Sequence, residues 1–191
     1  WITCTASDYV DLIQRKSIAL IESMKLTSFP PIIPDNPRIL ILGSMPGEES
    51  LRKQQYYGHP RNAFWFIMGK LFQAGPELSY DERVSRLKEC GVAVWDVLKH
   101  CKRQGSLDSS IQKDSEEPND LIGLFSQYQD ITHVFFNGQK AVSAFNKHVK
   151  PNLSPELLDR LMFMILPSTS PANARMTVTT KLDVWRQQLQ T

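Results

Sequence analysis

Arg38-Ile39-Leu40-Ile41-Leu42-Gly43-Ser44-Met45-Pro46-Gly47 is the stretch whose reading decides the fold. Four apolar residues in a row, without alternation and closed by glycine, suit a short strand covered on both faces. Three later runs have the same form: Val92-Ala93-Val94-Trp95-Asp96-Val97, His133-Val134-Phe135-Phe136-Asn137-Gly138 and Met162-Phe163-Met164-Ile165-Leu166-Pro167. Helix-like stretches lie between them. Residues 63–72 and 80–90 separate the first two runs, 121–128 precede the third, 140–149 and 155–161 precede the fourth, and 181–190 close the chain. Strands alternating with helices predict a three-layer α/β/α fold around a central four-stranded, mostly parallel sheet.

The rest of the chain bounds this reading. Its 191 residues suit one compact domain with a short extension, and 41% hydrophobic with 22% charged residues match a globular protein rather than a disordered one. No apolar run approaches the ~20 residues of a membrane span. A net charge of +2 identifies no partner by itself, so any basic patch must come from local arrangement. Cys4, Cys90 and Cys101 are far apart and make no C-x-x-C, which excludes a disulfide framework and a four-cysteine metal site and points to a reducing, intracellular compartment. The chain opens on Trp1 rather than Met, leaving the natural start upstream or non-standard. Residues 1–23 read as an accessory, loosely helical extension interrupted by charges, and a proline-rich entry through Pro30, Pro31, Pro34 and Pro37 leads into a single domain spanning 24–191. The polar stretch 103–119 reads as an exposed loop.

In parallel sheets the reactive side is the carboxyl edge, where strands pass into loops. All four runs end there in special residues: Gly43-Ser44-Met45-Pro46-Gly47, Asp96, Asn137-Gly138 and Ser168-Thr169-Ser170-Pro171. The first motif lacks the lysine of a nucleotide-triphosphate loop, and its glycines suit either an ordinary turn or close approach of backbone N–H groups to a ligand. Asn62, in Tyr56-Tyr57-Gly58-His59-Pro60-Arg61-Asn62-Ala63-Phe64-Trp65, is placed either to cap a helix or to offer its amide to a water or a substrate. His59 is a turn residue or a proton donor; Phe64 and Trp65 are core. Asp96 and Asn137 each follow strongly apolar residues and need a partner, protein backbone or ligand, since an unpaired buried polar group costs roughly 1–3 kcal/mol. Ser168-Thr169-Ser170-Pro171-Ala172-Asn173-Ala174-Arg175 is a solvated loop or a phosphate-gripping one. A G-x-S-x-G elbow and a metal-ligand cluster are both missing.

Taken together, in their order, residues 41–47, 56–65, 135–138 and 166–173 resemble the uracil-DNA glycosylase superfamily, and within it the hypoxanthine (deoxyinosine) DNA glycosylase branch, family 6. The resemblance covers the chain from about Phe29 onward. It implies catalytic amides at Asn62 and Asn137, an aromatic at Tyr57 stacking on the extruded base, base-edge recognition at Asp96, and a base pocket closed by Gly43, Ser44 and Met45. It implies a DNA-gripping loop with a minor-groove wedge at Ser168, Thr169, Ser170, Asn173 and Arg175. Mismatch-specific uracil glycosylases carry a water-positioning Asn where this chain has Met45, and the hypoxanthine branch lacks it too.

The activity implied is hydrolysis of the N-glycosidic bond of a deaminated base, hypoxanthine foremost, in double- or single-stranded DNA, by a monomeric enzyme needing no metal or organic cofactor. Asn62 would position the water and contact the base, and Asn137 would hold the base edge or leaving group. The alternatives are excision of uracil or mismatched bases, a DNA-binding module on the same fold without catalysis, and a small-molecule hydrolase.

Overall fold

The computed structural model describes residues 25–189; the extension expected over 1–23 lies outside them. The four apolar runs are strands β2 (Ile39–Gly43), β3 (Val92–Asp96), β6 (His133–Asn137) and β7 (Met162–Leu166), all parallel, in the spatial order β3-β2-β6-β7. Alternation of side chains across the pleat sends Leu40 and Leu42 to one face and Ile41 to the other. On the first face they meet Phe125 of α4 (Leu121–Gln127) and Phe145 of α5 (Gln139–His148). On the second, Ile41 and Phe135 meet Phe64 and Met68 of α2 (Phe64–Phe72), Leu87 of α3 (Tyr80–Glu89) and Trp185 of α7 (Val178–Leu189). Helices therefore cover both faces, which is why β2 carries no polar residue before its end. Short helices α1 (Glu48–Lys53) and α6 (Pro155–Arg160) complete the layers.

Local chemistry sets the helix starts. Ser79 and Glu82 form a reciprocal capping box at α3. Asp120 caps α4 through the Gly123 N–H, and Ser154 followed by Pro155 opens α6.

Two expectations are corrected. Strand β7 is an edge strand with Met162 and Ile165 half exposed, so its apolar run does not report cover on both faces. The stretch 103–119 is largely exposed, as expected, but it is not a plain loop. It follows β4 (Leu98–Lys102), contains β5 (Glu117–Pro118) and two 3-10 turns, and belongs to a second, antiparallel sheet ordered β1-β4-β5, where β1 is Lys25–Thr27. Arg103, Ile111 and Asn119 within it are buried. Its buried polar side chains bond to backbone: Arg103 donates to the carbonyls of Gly105 and Pro46, with its Nη1 left without a partner among the described residues, and Asn119 donates to that of Asp96.

Strand register brings the functional ends together. Gly43 is paired with Asp96, and Asn137 with Leu166, so the termini of all four strands share one edge.

Candidate active site

That edge opens into a cavity of about 470 Å³, within the range of small-ligand sites. Gly43, Ser44, Met45, Tyr57, Asn62, Asp96, Asn137, Ser168, Thr169, Ser170 and Asn173 all border it, as does His59; Arg175 does not and lies exposed.

Asp96 ends β3 fully buried, and its Oδ2 has no hydrogen-bond partner. Burial pushes its pKa up to about 8, the nearby Asp108 charge adds to the rise and Arg103 opposes it. At neutral pH the group is a carboxylic acid, able to donate as well as accept. Its carboxyl lies against Gly43, the one residue type that leaves room there, since a Cβ would stand 2.3 Å from Asp96 Oδ1.

Tyr57 sits at φ 54°, a left-handed conformation costly for a bulky residue and typical of functional sites. Its ring stacks on Phe64 at 3.8 Å between centroids, which fixes its plane at the cavity wall. The hydroxyl is buried without a hydrogen-bond partner, and burial raises its pKa, with the Asp96 charge adding and the Asn137 amide opposing. Phe64 and Trp65 are core, as expected, and Phe64 doubles as the bed for Tyr57.

The two amides are each partly structural. Asn62 Oδ1 accepts the Phe64 N–H at 3.0 Å at the start of α2, so the capping role is real; its amide nitrogen has no partner among the described residues. Asn137 exchanges two bonds with Thr169, donating from Nδ2 to Oγ1 (2.9 Å) and accepting the Thr169 N–H at Oδ1 (2.8 Å). The same amide lies close enough to the Tyr57 hydroxyl to oppose the rise in its pKa. His59 Nδ1 accepts the Arg61 N–H, which assigns it to the turn while it borders the cavity.

The Ser168–Asn173 wall is held by its own side chains. Ser168 Oγ accepts the Ser170 N–H, Ser170 Oγ accepts the Ala172 N–H, and Asn173 donates to the Ser168 carbonyl. Buried Lys181 of α7 donates to the Ser170 carbonyl from beneath, and burial lowers its pKa. Gly138, at φ 100°, lets this wall approach, since a Cβ there would stand 2.8 Å from Ser168 Cβ.

The opposite wall was missed by sequence reasoning. Ser106, Leu107, Asp108 and Ser109 border the cavity, and the Ser44 hydroxyl donates to Asp108 Oδ1 at 2.8 Å. Crowding by protein raises the Asp108 pKa although the residue as a whole is exposed, so solvent screens part of that effect. Only the pairing of Arg103 with Ile111 around a Gly-containing turn signals this wall, and that pairing is invisible without coordinates.

A parallel sheet with amides, a neutral carboxyl and hydroxyls at one edge invites comparison with known families. The family model of the uracil DNA glycosylase superfamily matches residues 30–189. The chain belongs to the uracil DNA glycosylase superfamily. It is a DNA glycosylase, with DNA as its substrate. Among curated relatives it is 42% identical over 119 residues to a hypoxanthine DNA glycosylase of Methanosarcina barkeri, covering 62% of this chain and 74% of that one. It is 38% identical over 148 residues to a hypoxanthine DNA glycosylase of Methanosarcina acetivorans, covering 77% and 87%. Its fold matches a solution NMR structure of a protein described as a candidate uracil DNA glycosylase from Methanosarcina acetivorans, with TM-score 0.67, 34% identity, and cover of 86% of this chain and 98% of that one. No helix among the described residues is long and apolar enough to cross a membrane, and no group of three or more His, Cys, Asp or Glu among them could hold a metal ion.

Proposed function

We propose that this glycosylase excises deaminated bases from DNA, hypoxanthine foremost. The observation that carries the reading is the pair of buried, unpartnered polar groups in one cavity wall, Tyr57 OH and Asp96 Oδ2. A buried polar group costs free energy while unpaired, and a ligand offering a complementary edge pairs both. Protonated Asp96 and the Tyr57 phenol can both donate and accept. Together they suit a lactam edge, where a carbonyl oxygen stands beside an N–H, as in hypoxanthine. Two relatives named as hypoxanthine DNA glycosylases support the same base.

The target nucleotide must leave the stack to reach such a cavity, at a cost of a few kcal/mol that is least where pairing is already poor. Cleavage breaks the C1′–N9 bond, and the electron pair departs with the base. Water oxygen then bonds to C1′ of the oxocarbenium-like sugar, and its proton ends on the released base. Because C1′ is already cationic, a weak acceptor suffices to aim the water; Asn62 Oδ1 keeps one lone pair for this after capping Phe64. The Asn137 amide and the neutral Asp96, both on the cavity wall, face the negative charge that grows on the departing base, and preorganised neutral groups stabilise it without reorganising. Tyr57 stacks on the base, and the Ser168–Asn173 wall grips the strand. Ser168 and Ser170 accept within the loop and keep their O–H groups for phosphate oxygens.

The test is a panel of labelled strands, single and duplex, carrying hypoxanthine, uracil, xanthine or a thymine mismatch, scored for abasic sites by alkaline cleavage. Hypoxanthine is expected to be released fastest. Faster uracil release would move the assignment to the uracil branch, and binding without base release would leave a DNA-binding module.

A further inference from the structure

We propose that Leu107 is the side chain that enters the base stack as the target nucleotide rotates into the cavity and keeps the vacated space filled. This inference rests on the glycosylase reading and concerns how the base is extruded rather than which base it is.

Among the described residues six large apolar side chains are exposed, and Leu107, at 54%, is the most exposed of them. It is also the one of the six that borders the cavity; Phe66, Leu158, Met162, Ile165 and Val178 do not. An isolated exposed leucine needs no explanation. One held rigidly on the rim of a base-sized cavity does.

The segment that carries it is tied down on both sides. Buried Arg103 donates to the Gly105 and Pro46 carbonyls, joining the segment to the Gly43–Gly47 turn. The Glu48 N–H donates to Ser106 Oγ at 3.0 Å, one residue before Leu107. The Ser44 hydroxyl donates to Asp108 Oδ1, one residue after it. The Leu107 carbonyl accepts the Ser110 N–H, and the next residue, Ile111, is buried in the core. Leu107 is therefore a single apolar side chain flanked by anchors on either side, presented to solvent with its backbone fixed.

Rigid presentation is what a wedge requires. Apolar side chains inserted between base steps unstack the duplex, and a wedge that is already ordered spends little of its insertion energy on ordering itself. The opposite wall offers no equivalent. At its rim stand Ser170, Pro171, Ala172 and Asn173, none of them a large flexible apolar side chain. Leu107 therefore enters the duplex from the side of the cavity opposite the serine–proline loop.

The experiment compares single-turnover excision by wild type, Leu107→Ala and Leu107→Met on the same hypoxanthine strand, single and paired with a thymine strand. A third duplex carries a bulky polycyclic aromatic nucleotide opposite the lesion, which forces the base outward chemically. Leu107→Ala is expected to lose roughly 10- to 100-fold on the ordinary duplex, the burial of one leucine side chain, and far less on the single strand. Leu107→Met should recover most of the duplex rate, and the bulky nucleotide should restore Leu107→Ala. Thermal melting checks that each variant is folded. Equal losses on single and double strands, or no loss on either, would overturn the wedge. Base release by wild type from the single strand tests the glycosylase reading separately.

Discussion

The carboxyl of Asp96 lies so close to Gly43 that a Cβ at residue 43 would stand 2.3 Å from Asp96 Oδ1. The two residues are register partners on adjacent parallel strands, so the contact is set by the sheet itself. Gly43→Ala must therefore displace the buried Asp96 carboxyl from its place on the cavity wall. We expect it to lose roughly 1–3 kcal/mol of stability, as overpacked cores do, together with most excision. Adding Asp96→Ala should return much of the stability and none of the activity. Additive stability losses in the double variant, measured by denaturant unfolding, would show that the two residues do not collide.

Asp96 also makes the protein pH-sensitive. Its pKa of about 8 in the fold stands above the ordinary 3.8, so between these values the folded protein holds a proton that the unfolded chain has released. Stability contributed by this group is full below about pH 4, declines as pH rises toward 8, and is flat above it. Excision should decline as pH rises through about 8, when Asp96 loses its donor and places a negative charge beside the departing base. Asp96→Asn keeps one donor and one acceptor, so its rate and its melting temperature should vary less across pH 6–9 than those of wild type. Parallel profiles for the two proteins would remove Asp96 from the chemistry.

Much of this architecture is legible from residues alone, and the exceptions have physical causes. Strands β2, β3 and β6 are apolar because both faces are covered, and their polar ends at Gly43, Asp96 and Asn137 mark the cavity edge because polar groups there can meet a ligand. Strand β7 has a similar run but leaves Met162 and Ile165 half exposed, whereas β3, the other terminal strand, is covered and has Ile32 bridged to its Val94. The wall at 106–109 is silent because its order comes from Arg103, Ser44 and backbone carbonyls far apart in the chain, which no local period encodes. Asn62 and Asn137 were each open to a structural or a chemical reading. Both carry a structural bond and both border the cavity, because one amide has enough donors and acceptors for two tasks.

The Asn137–Thr169 pair predicts a graded series at Thr169. Thr169→Ser keeps the hydroxyl that accepts from Asn137 Nδ2 and should retain near wild-type excision. Thr169→Val matches the shape but leaves Asn137 a missing partner, costing roughly 1–3 kcal/mol and freeing the amide to rotate. Excision by Thr169→Val should fall mainly in kcat, because orientation rather than affinity is lost. A change confined to KM would assign the pair to DNA binding instead.

Asn62 separates capping from catalysis. Asn62→Ala removes the acceptor for the Phe64 N–H, which should cost about 1 kcal/mol of stability, and removes the acceptor for water, which should cost roughly 10²- to 10⁴-fold in excision rate while DNA binding stays near normal. The two losses can be divided. Asn62→Asp keeps an oxygen for Phe64 and a second one for water, so it should melt like wild type and excise within about tenfold of it, as an acceptor role requires. If Asn62→Asp is as slow as Asn62→Ala while fully stable, the amide N–H groups rather than the oxygen act on the substrate, and Asn62 then holds the base instead of the water. Excision by Asn62→Ala at the wild-type rate would mean that Asn62 does no more than cap α2.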